Sequence, residues 1–310
     1  MINFRYIKTY FFLLYTVFLL SCYTANNNEF KDSLTAIEFG RYLFFDTDLS
    51  LHQNMSCAIC HNPELAFTDG YRLSVNAYAE ALAFNTPSIL NIENNQYFSA
   101  DDSTVVTLVQ QMERPFFSDH PVEMGIQIDS TVVLNRIWNK YQNRIKNLVY
   151  SRGELSTNGL MDFISQYERT LISRNSKYDM HINSNSVLSP QELVGRDIFF
   201  NKYNCVACHG GLDFDKPVAG FSYYEVENEE RKIKVLGLRN VNMTSPYWHD
   251  GSTEFVDVAI KWHSKILGVE KLVSDDEDVD LIIDFLYSLT DTSYLDNSHF
   301  LSPFTLKNDL

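Results

Sequence analysis

The chain has 310 residues, of which 45% are hydrophobic, and only 12 glycines and 8 prolines, so it is long enough for two compact domains with packed cores. Its formal net charge of −15 at pH 7 argues against nucleic-acid binding, because such proteins carry basic patches. An acidic surface gives solubility, and it can also attract a basic partner.

The first 21 residues have the pattern of a secretory signal. Two basic residues precede an apolar run over residues 10–20, which is too short to span a bilayer. The run ends in Leu19-Leu20-Ser21-Cys22, which resembles a bacterial lipobox. An ordinary signal peptide that contains a cysteine is the alternative. We predict a lipoprotein signal peptide over 1–21, a lipidated mature start at Cys22, a flexible tether over 22–34, and a periplasmic or cell-envelope location.

An amphipathic helix of the same pattern is predicted twice. The segment FGRYLFFD at 39–46 parallels VGRDIFFN at 194–201. The second copy has clear start signals, with Ser189 as N-cap, Pro190 at the first helical position and Glu192 at the third. Because each copy shortly precedes a cysteine pair, the repeat indicates two copies of one type of domain.

Each cysteine pair belongs to a C-x-x-C-H motif. The two motifs read Cys57-Ala58-Ile59-Cys60-His61 and Cys205-Val206-Ala207-Cys208-His209. Two such thiols can form thioether bonds to the vinyl groups of one porphyrin, and the adjacent His can bind the iron. A redox C-x-x-C or half of a zinc site is the alternative, but the His directly after the second Cys argues against both. Each motif therefore predicts one covalently bound haem c.

The remaining patterns are helical. Apolar residues recur at helical period over 132–150 and 160–173, and the acidic run 274–277 predicts a capping box with Ser274 as N-cap. No alternation typical of a strand extends beyond a few residues. The fold prediction is all-α, with two cytochrome c-like domains over 35–182 and 183–310, each holding one haem.

Several further segments form a specific combination with the haem motifs. They are Asn85-Thr86-Pro87-Ser88, Pro121-Val122-Glu123-Met124-Gly125, Tyr167-Glu168-Arg169-Thr170-Leu171, Leu238-Arg239-Asn240-Val241 and Thr244-Ser245-Pro246-Tyr247-Trp248-His249-Asp250-Gly251. With these segments the chain resembles the bacterial di-haem cytochrome c peroxidase family, which includes the MauG type of protein-modifying enzyme. The resemblance extends from about residue 34 to residue 290 and implies peroxide chemistry.

The resemblance implies that the haem of the first motif is the peroxidatic one. It assigns acid–base catalysis to Glu123, because a carboxylate beside an open iron can move the peroxide proton. Gln111 matches the family's distal Gln, and Pro115 aligns as well. Many members place a resting His ligand after the first motif, but none occurs between His61 and His120. We therefore predict that the first haem iron has an open coordination position at rest. The alternative is that His120 substitutes for the missing ligand.

The resemblance also implies a sixth ligand for the second haem, which handles electrons. That ligand is a Met or a Tyr at a fixed offset after H-D-G, and counting without gaps from His249 leads to His263. No Met follows Met243, so a shift of register cannot supply one. We predict that His263 binds the second iron, the alternative being an exposed or core histidine.

A calcium site between the haems is implied by the same resemblance. Its donors would be the side chain of Asn85 and the backbone carbonyls of Thr244 and Pro246, which are the hard oxygen ligands that Ca²⁺ prefers.

One segment departs from the family pattern. The family's F-W-D-G-R-A, whose Trp lies between the haems, is replaced by residues 97–102, which read YFSADD. The bridging Trp and the Arg are therefore missing, which puts the usual electron route in question. Trp248 and Trp262, which lie near motifs of the second haem, are candidate substitutes.

Three functions are compatible with the sequence. The first is a peroxidase that reduces hydrogen peroxide with electrons from a small cytochrome-like donor. The second is a MauG-like enzyme that oxidises residues of a secreted partner protein, which the open first haem and the non-Met ligand favour. The third is a non-catalytic di-haem electron-transfer cytochrome. We favour peroxide chemistry, with no nucleic-acid partner and membrane contact only through the lipid anchor.

Overall fold

The computed structural model describes most of the chain after the tether. The described ranges are 33–119, 121–150, 154–184, 188–216, 222–225, 232–266 and 273–304. The predicted signal peptide, the lipidation at Cys22, nearly all of the tether and His120 lie outside these ranges. Within them, none of the helices combines the length and the apolar character that a membrane span requires.

The described part of the chain is mostly helical, as predicted. The helices are α1 (Ala36–Phe45), α2 (Cys57–Cys60), α3 (Leu108–Phe117), α4 (Ser130–Tyr150), α5 (Thr157–Glu168), α6 (Lys177–Ser184), α7 (Pro190–Asp197), α8 (Val256–Ile266) and α9 (Asp276–Tyr287). A π-helical turn, Ile198–Lys202, continues α7. Two three-residue strands, β1 (Tyr223–Glu225) and β2 (Lys232–Lys234), pair antiparallel with Tyr224 opposite Ile233.

The predicted start of α7 is confirmed, because Ser189 and Glu192 form a reciprocal capping box. The predicted N-cap of α9 is wrong by one residue. Asp275, rather than Ser274, caps this helix, and its side chain accepts hydrogen bonds from the backbone N–H groups of Glu277 and Asp278. A carboxylate at this position both satisfies the free N–H groups and lies favourably at the positive end of the helix dipole.

The predicted helix over 160–173 ends earlier, at Glu168. Beyond it the backbone pairs with another segment: Asn91 N–H donates to the Leu171 carbonyl at 2.8 Å, and Ser173 N–H donates to Asn91 Oδ1 at 2.7 Å. These bonds satisfy the backbone groups that further helix would have used.

Two hydrophobic clusters form the interior. The first is built on α1, α4 and α5 around aromatic rings that include Phe39 and Phe163. The second is built on α7 and α9 with Phe285 at its centre. The chain does not separate them at a single point, because Tyr294, which follows α9, packs into the first cluster. The predicted domain boundary at 183 stays a prediction.

A glycine marks the helix crossing in each cluster. A Cβ atom on Gly40 of α1 would overlap the backbone carbonyl of Phe163 in α5, and one on Gly195 of α7 would overlap that of Leu281 in α9. Only glycine lets the helix backbones approach this closely. The repeated glycine of the two segments is therefore explained by equivalent helix packing.

Candidate functional site

One cavity of about 710 Å³ is lined by both C-x-x-C-H motifs. Its volume lies in the upper part of the range for small-molecule and cofactor sites. The residues that the motifs contribute are Cys57, Cys60 and His61 from the first and Cys205, Cys208 and His209 from the second. The structure therefore brings together the two motifs, which lie almost 150 residues apart in the chain.

Backbone carbonyls orient both histidines. His61 Nδ1 lies 3.0 Å from the carbonyl oxygen of Phe67, and His209 Nδ1 lies 3.2 Å from that of Phe214. Because a carbonyl can only accept, each Nδ1 carries the proton and each Nε2 keeps its lone pair. Burial lowers the pKa of both imidazoles. Both rings are thus neutral and have the tautomer of a metal ligand.

The loops after the two histidines share a phenylalanine with positive φ and a closing bridge. Phe67 and Phe214 both have positive φ angles, 60° and 57°. An isolated antiparallel bridge closes each loop, and the bridged pairs are Asn62–Thr68 and Gly210–Lys216. The sequence repeat therefore extends to the parts of the structure that hold the two histidines.

The thiols of the two motifs are free, with no disulfide among the described cysteines. Burial raises the pKa of all four, to about 12 for Cys60 and Cys205. Free thiols two residues apart are what thioether bonds to the two vinyl groups of one porphyrin require. Together with the oriented histidines, these residues fit covalently attached haem.

One wall near the first motif carries the predicted acid–base residues. Gln111, Arg114 and Pro115 lie three and four residues apart on α3, and all line the cavity. The loop with Glu123 is fastened to this helix, because Met124 N–H donates to the Pro115 carbonyl at 3.0 Å. The structure thus brings Glu123 and Gln111 to the same cavity wall.

The pKa of the half-buried Glu123 carboxyl is raised above its ordinary value. Burial raises its pKa, and the charge of Arg114 opposes this shift. Arg114 is itself held by both carboxylate oxygens of Asp101, at 3.0 and 3.3 Å. Glu123 also raises the pKa of Cys60, which shows that its charge acts at the first motif.

A second carboxyl group, not predicted from the sequence as a site residue, lies near the first motif. Glu168, at the end of α5, is only 8% exposed and lines the cavity. Burial raises its pKa to about 8, and its charge in turn raises the pKa of Cys57. The signal in the sequence was its spacing, since it follows the buried Leu160 and Ile164 at intervals of four on one helix face.

The wall near the second motif is apolar where α8 contributes to it. Val256, Ala259 and Ile260 line the cavity, and Val256 and Ile260 pack against the second cluster. Residue 263 follows Ile260 by three positions, so it belongs to the same face of α8. The side chain of His263 lies outside the described part of the structure.

The predicted calcium donors line this cavity as well: they are Asn85, Thr244 and Pro246. Asn85 N–H donates to the His249 carbonyl at 2.8 Å, and its Nδ2 donates to the Tyr71 carbonyl at 2.8 Å. The bond to His249 ties the first half of the chain to the H-D-G segment, and the bond to Tyr71 holds the Asn85 side chain within the first half. No group of three or more His, Cys, Asp or Glu in the described ranges is arranged for a metal ion, but a site of amide and carbonyl oxygens would not form such a group.

The segment that lacks the family's Trp reaches the cavity through Phe98, and Trp248 also lines it. Trp262, in contrast, is 45% exposed and is not one of the described residues of the wall. Of the two candidate substitutes, only Trp248 therefore has a suitable location.

A mostly helical fold, with two haem-attachment motifs lining one cavity, is typical of c-type di-haem proteins. A sequence profile of the family described as di-haem cytochrome c peroxidase matches residues 35–186. The chain is similar to the di-haem cytochrome c peroxidase and MauG family, a family of oxidoreductases, so the predicted recognition is confirmed. The similarity implies two c-type haems.

The relatives include both cytochrome c peroxidases and MauG proteins. Cytochrome c551 peroxidase of Nitrosomonas europaea is 29% identical over 82% of this chain and 79% of the relative. Methylamine utilization protein MauG of Methylophilus methylotrophus is 28% identical over 78% of this chain and 76% of the relative. The crystal structure of a MauG-like protein associated with microbial copper homeostasis superposes with a TM-score of 0.77 at 25% identity, covering 87% of this chain and 93% of the other.

Proposed function

We propose that the protein reduces hydrogen peroxide at the haem of the first motif, with electrons relayed from a cytochrome-like donor through the haem of the second. The observation that carries this proposal is the single cavity, which is lined by both motifs and by Glu123 and Gln111. Relatives named cytochrome c peroxidase support it.

The haem iron, when bound, supplies the site for the peroxide oxygen and the redox chemistry. Glu123 accepts the proton of the near peroxide oxygen and returns it to the leaving oxygen, so that two electrons and two protons convert H2O2 to two waters. Arg114 opposes the effect of burial on Glu123 and so keeps more of the carboxyl ionised as a base. Gln111, on the same wall, can donate a hydrogen bond that orients the peroxide.

The open first iron is part of the proposal. No His occurs in residues 62–119, and the described wall of the cavity contains no His besides His61, His209 and His249. His249 belongs to the H-D-G segment, which is tied to Asn85. A resting ligand opposite His61 is therefore not expected, and peroxide can react without prior reduction.

The second function, oxidation of a partner protein in the manner of MauG, is favoured by one specific observation. Val256, Ala259 and Ile260 of α8 line the cavity, and position 263 lies on the same helix face. His263 as a ligand together with His209 would give the second iron two imidazoles, which lowers the potential relative to His/Met ligation and stabilises oxidised states. The relatives named MauG agree with it. Its substrate would be a secreted protein rather than a small electron donor.

Three further features of the sequence are proposed with this function. His263 is the sixth ligand of the second iron. Asn85, Thr244 and Pro246 hold a calcium ion between the haems through oxygen donors. Cys22 carries a lipid anchor that keeps the enzyme in the periplasm or cell envelope, and mass spectrometry of the native N-terminus tests this anchor.

Replacement of Glu123 tests the peroxidase. In the fully haem-loaded protein, Glu123→Gln should lower peroxide turnover at least about 100-fold, which is the usual scale for lost acid–base catalysis. Glu113→Gln is the matched control, because Glu113 lies on α3 but is exposed and outside the cavity wall. Wild-type turnover in Glu123→Gln, with both haems bound, would remove Glu123 from the mechanism.

A further inference from the structure

The short hairpin of the second half reaches across to the first half. Lys234 N–H donates to the Ala100 carbonyl at 2.8 Å, and Tyr223 Oη donates to the Ser99 carbonyl at 2.9 Å. The segment that replaces the family's Trp motif is thus bound to β1 and β2. Lys234 lines the same cavity as both haem motifs.

The ammonium of Lys234 has a neutral contact on the protein side. The Asn95 amide, oriented so that both its atoms are satisfied, places its oxygen 2.9 Å from Lys234 Nζ and its nitrogen 2.7 Å from Asp215 Oδ2. The other oxygen, Asp215 Oδ1, is buried and has no hydrogen-bond partner among the described residues. Burial lowers the pKa of Lys234 to about 8 and raises that of Asp215. Asn95 therefore lies between the two side chains. The charge of Asp215 raises the pKa of Lys234, and the charges of Lys216 and Lys234 lower that of Asp215, but burial has the larger effect on both groups.

The other cations of the described wall are neutralised directly. Arg114 is paired with Asp101, and Arg239 is paired with Asp179 and Asp213. A mostly buried cation without a direct carboxylate contact is costly, because its desolvation is not repaid. Lys234 is therefore the cation of this wall that best suits an anionic group entering the cavity.

The anionic groups of haem are its two propionate carboxylates. We propose that Lys234 binds a propionate of the haem held by Cys205, Cys208 and His209, and that Asn95 holds the ammonium in place. Two short connections along the chain link Lys234 and Asp215 to His209, and so favour the second haem. Asp215 directly follows Phe214, whose carbonyl accepts a hydrogen bond from His209. Lys234, at the end of β2, is two residues before Leu236, whose backbone hydrogen bond raises the pKa of His209. The inference rests on the proposed haem of the second motif.

The ion pair between Lys234 and the propionate would raise the midpoint potential of the second haem. Reduction of the iron adds one negative charge, so a nearby ammonium stabilises the reduced form. Lys234→Met in the fully haem-loaded protein should change the ratio of reduced to oxidised second haem about tenfold toward the oxidised form at a fixed potential. For a one-electron couple this equals a fall of 59 mV in midpoint potential.

Spectroelectrochemical titration that resolves the two haems provides the measurement. Lys234→Arg should keep the wild-type potential, because it retains the charge. Lys232→Met is the matched control, since Lys232 lies on the same strand but pairs with Glu225 in solvent, and it should leave both potentials unchanged. If Lys234→Met does not load both haems, Lys234→Gln is titrated in its place.

The outcomes separate this inference from the proposed function. An unchanged second-haem potential in the neutral Lys234 variants, or a change confined to the first haem, overturns the Lys234 assignment even if Glu123→Gln abolishes turnover. A wild-type protein that binds no haem at the second motif, measured by its haem content, overturns the proposed cofactor itself. A normal turnover in Glu123→Gln overturns the peroxidase mechanism but leaves the potential shift as a valid test.

Discussion

The two haem-motif regions share a scaffold and differ in the walls around it. Each has a histidine whose Nδ1 donates to a phenylalanine carbonyl, and each lies beside a helix crossing at a glycine. Around the first motif, carboxyl groups act on the cysteines: Glu123 on Cys60 and Glu168 on Cys57. Around the second, α8 contributes an apolar face. The shared part fits the holding of haem, and the differing part fits a division into a reactive and an electron-handling centre.

The loops that carry the two carbonyls are also fixed by different chemistry. The loop of the first motif is held by neutral groups, because Ser88 Oγ donates to the Ala66 carbonyl at 2.6 Å and Tyr294 Oη donates to the Pro63 carbonyl at 2.9 Å. The loop of the second is held by Arg239, which donates to the Leu212 carbonyl and to Asp213. Charge therefore stabilises the second loop and hydroxyl groups stabilise the first.

The largest loss of stability is expected from removing Arg239, whose ion pairs hold the loop of the second motif. Arg239 is 3% exposed at its side chain and pairs with Asp179 and Asp213. Arg239→Met should lower the free energy of unfolding by about 3–5 kcal/mol, because buried Asp179 loses its arginine and buried Asp213 keeps only Arg174. Tyr294→Phe, which removes one neutral bond from the first loop, should cost only about 1 kcal/mol. Denaturant unfolding of the haem-loaded variants measures both.

A matched control exists for this pair. Arg72→Met removes an exposed arginine that lies 4.0 Å from Asp250 and should change stability by less than about 1 kcal/mol. Equal losses in Arg239→Met and Tyr294→Phe would contradict the proposed difference between the loops.

Replacing the glycine at the helix crossing should lower the free energy of unfolding by a similar amount in both halves. Gly40→Ala and Gly195→Ala each place a methyl group onto a backbone carbonyl and should cost about 1–3 kcal/mol or more, since the helices must separate. Gly159→Ala on α5 is the control, because its Cβ would meet only the Ser156 hydroxyl. Thermal or denaturant unfolding of the three variants tests this, and a tolerated Gly195→Ala beside a disruptive Gly40→Ala would refute the equivalence.

The smallest effect concerns the pH dependence of peroxide turnover. Burial holds the pKa of Glu123 above its ordinary value of 4.5, and the ionised form is the base, so kcat/KM should fall as the pH drops through this raised pKa. Arg114→Met should move the acid limb to higher pH, because Arg114 lowers that pKa, with a loss of activity of up to about tenfold on the limb. The limb should be absent in Glu123→Gln. An unchanged limb in Arg114→Met would exclude this coupling.

The sequence predicted those features that depend on local pattern. The C-x-x-C-H motifs, the repeated first helix and the capping box at Ser189 are all encoded within a few residues. What it could not predict depends on long-range contacts. Strands of three residues, as in β1 and β2, are too short to show alternation. The helical spacing that marks Glu168 as buried does not show that the cavity with both haem motifs lies beside it.

The substitution of the family's Trp illustrates the same limit. Residues 97–102 indicated a lost electron route, but not that Phe98 would reach the cavity or that β2 would bind this segment. The position of Lys234 follows from that contact alone. A pattern of residue types carries no information about which distant strand will cover it.

Electron paramagnetic resonance of the resting diferric protein, followed by addition of H2O2, tests the division of roles most directly. We expect one high-spin haem, at the first motif, and one low-spin haem, at the second, and a reaction with H2O2 without prior reduction. His263→Ala should convert the low-spin signal to high spin, and His120→Ala should leave the high-spin signal unchanged. Two low-spin signals in the wild type, with no reaction until one electron is added, would contradict the open first site.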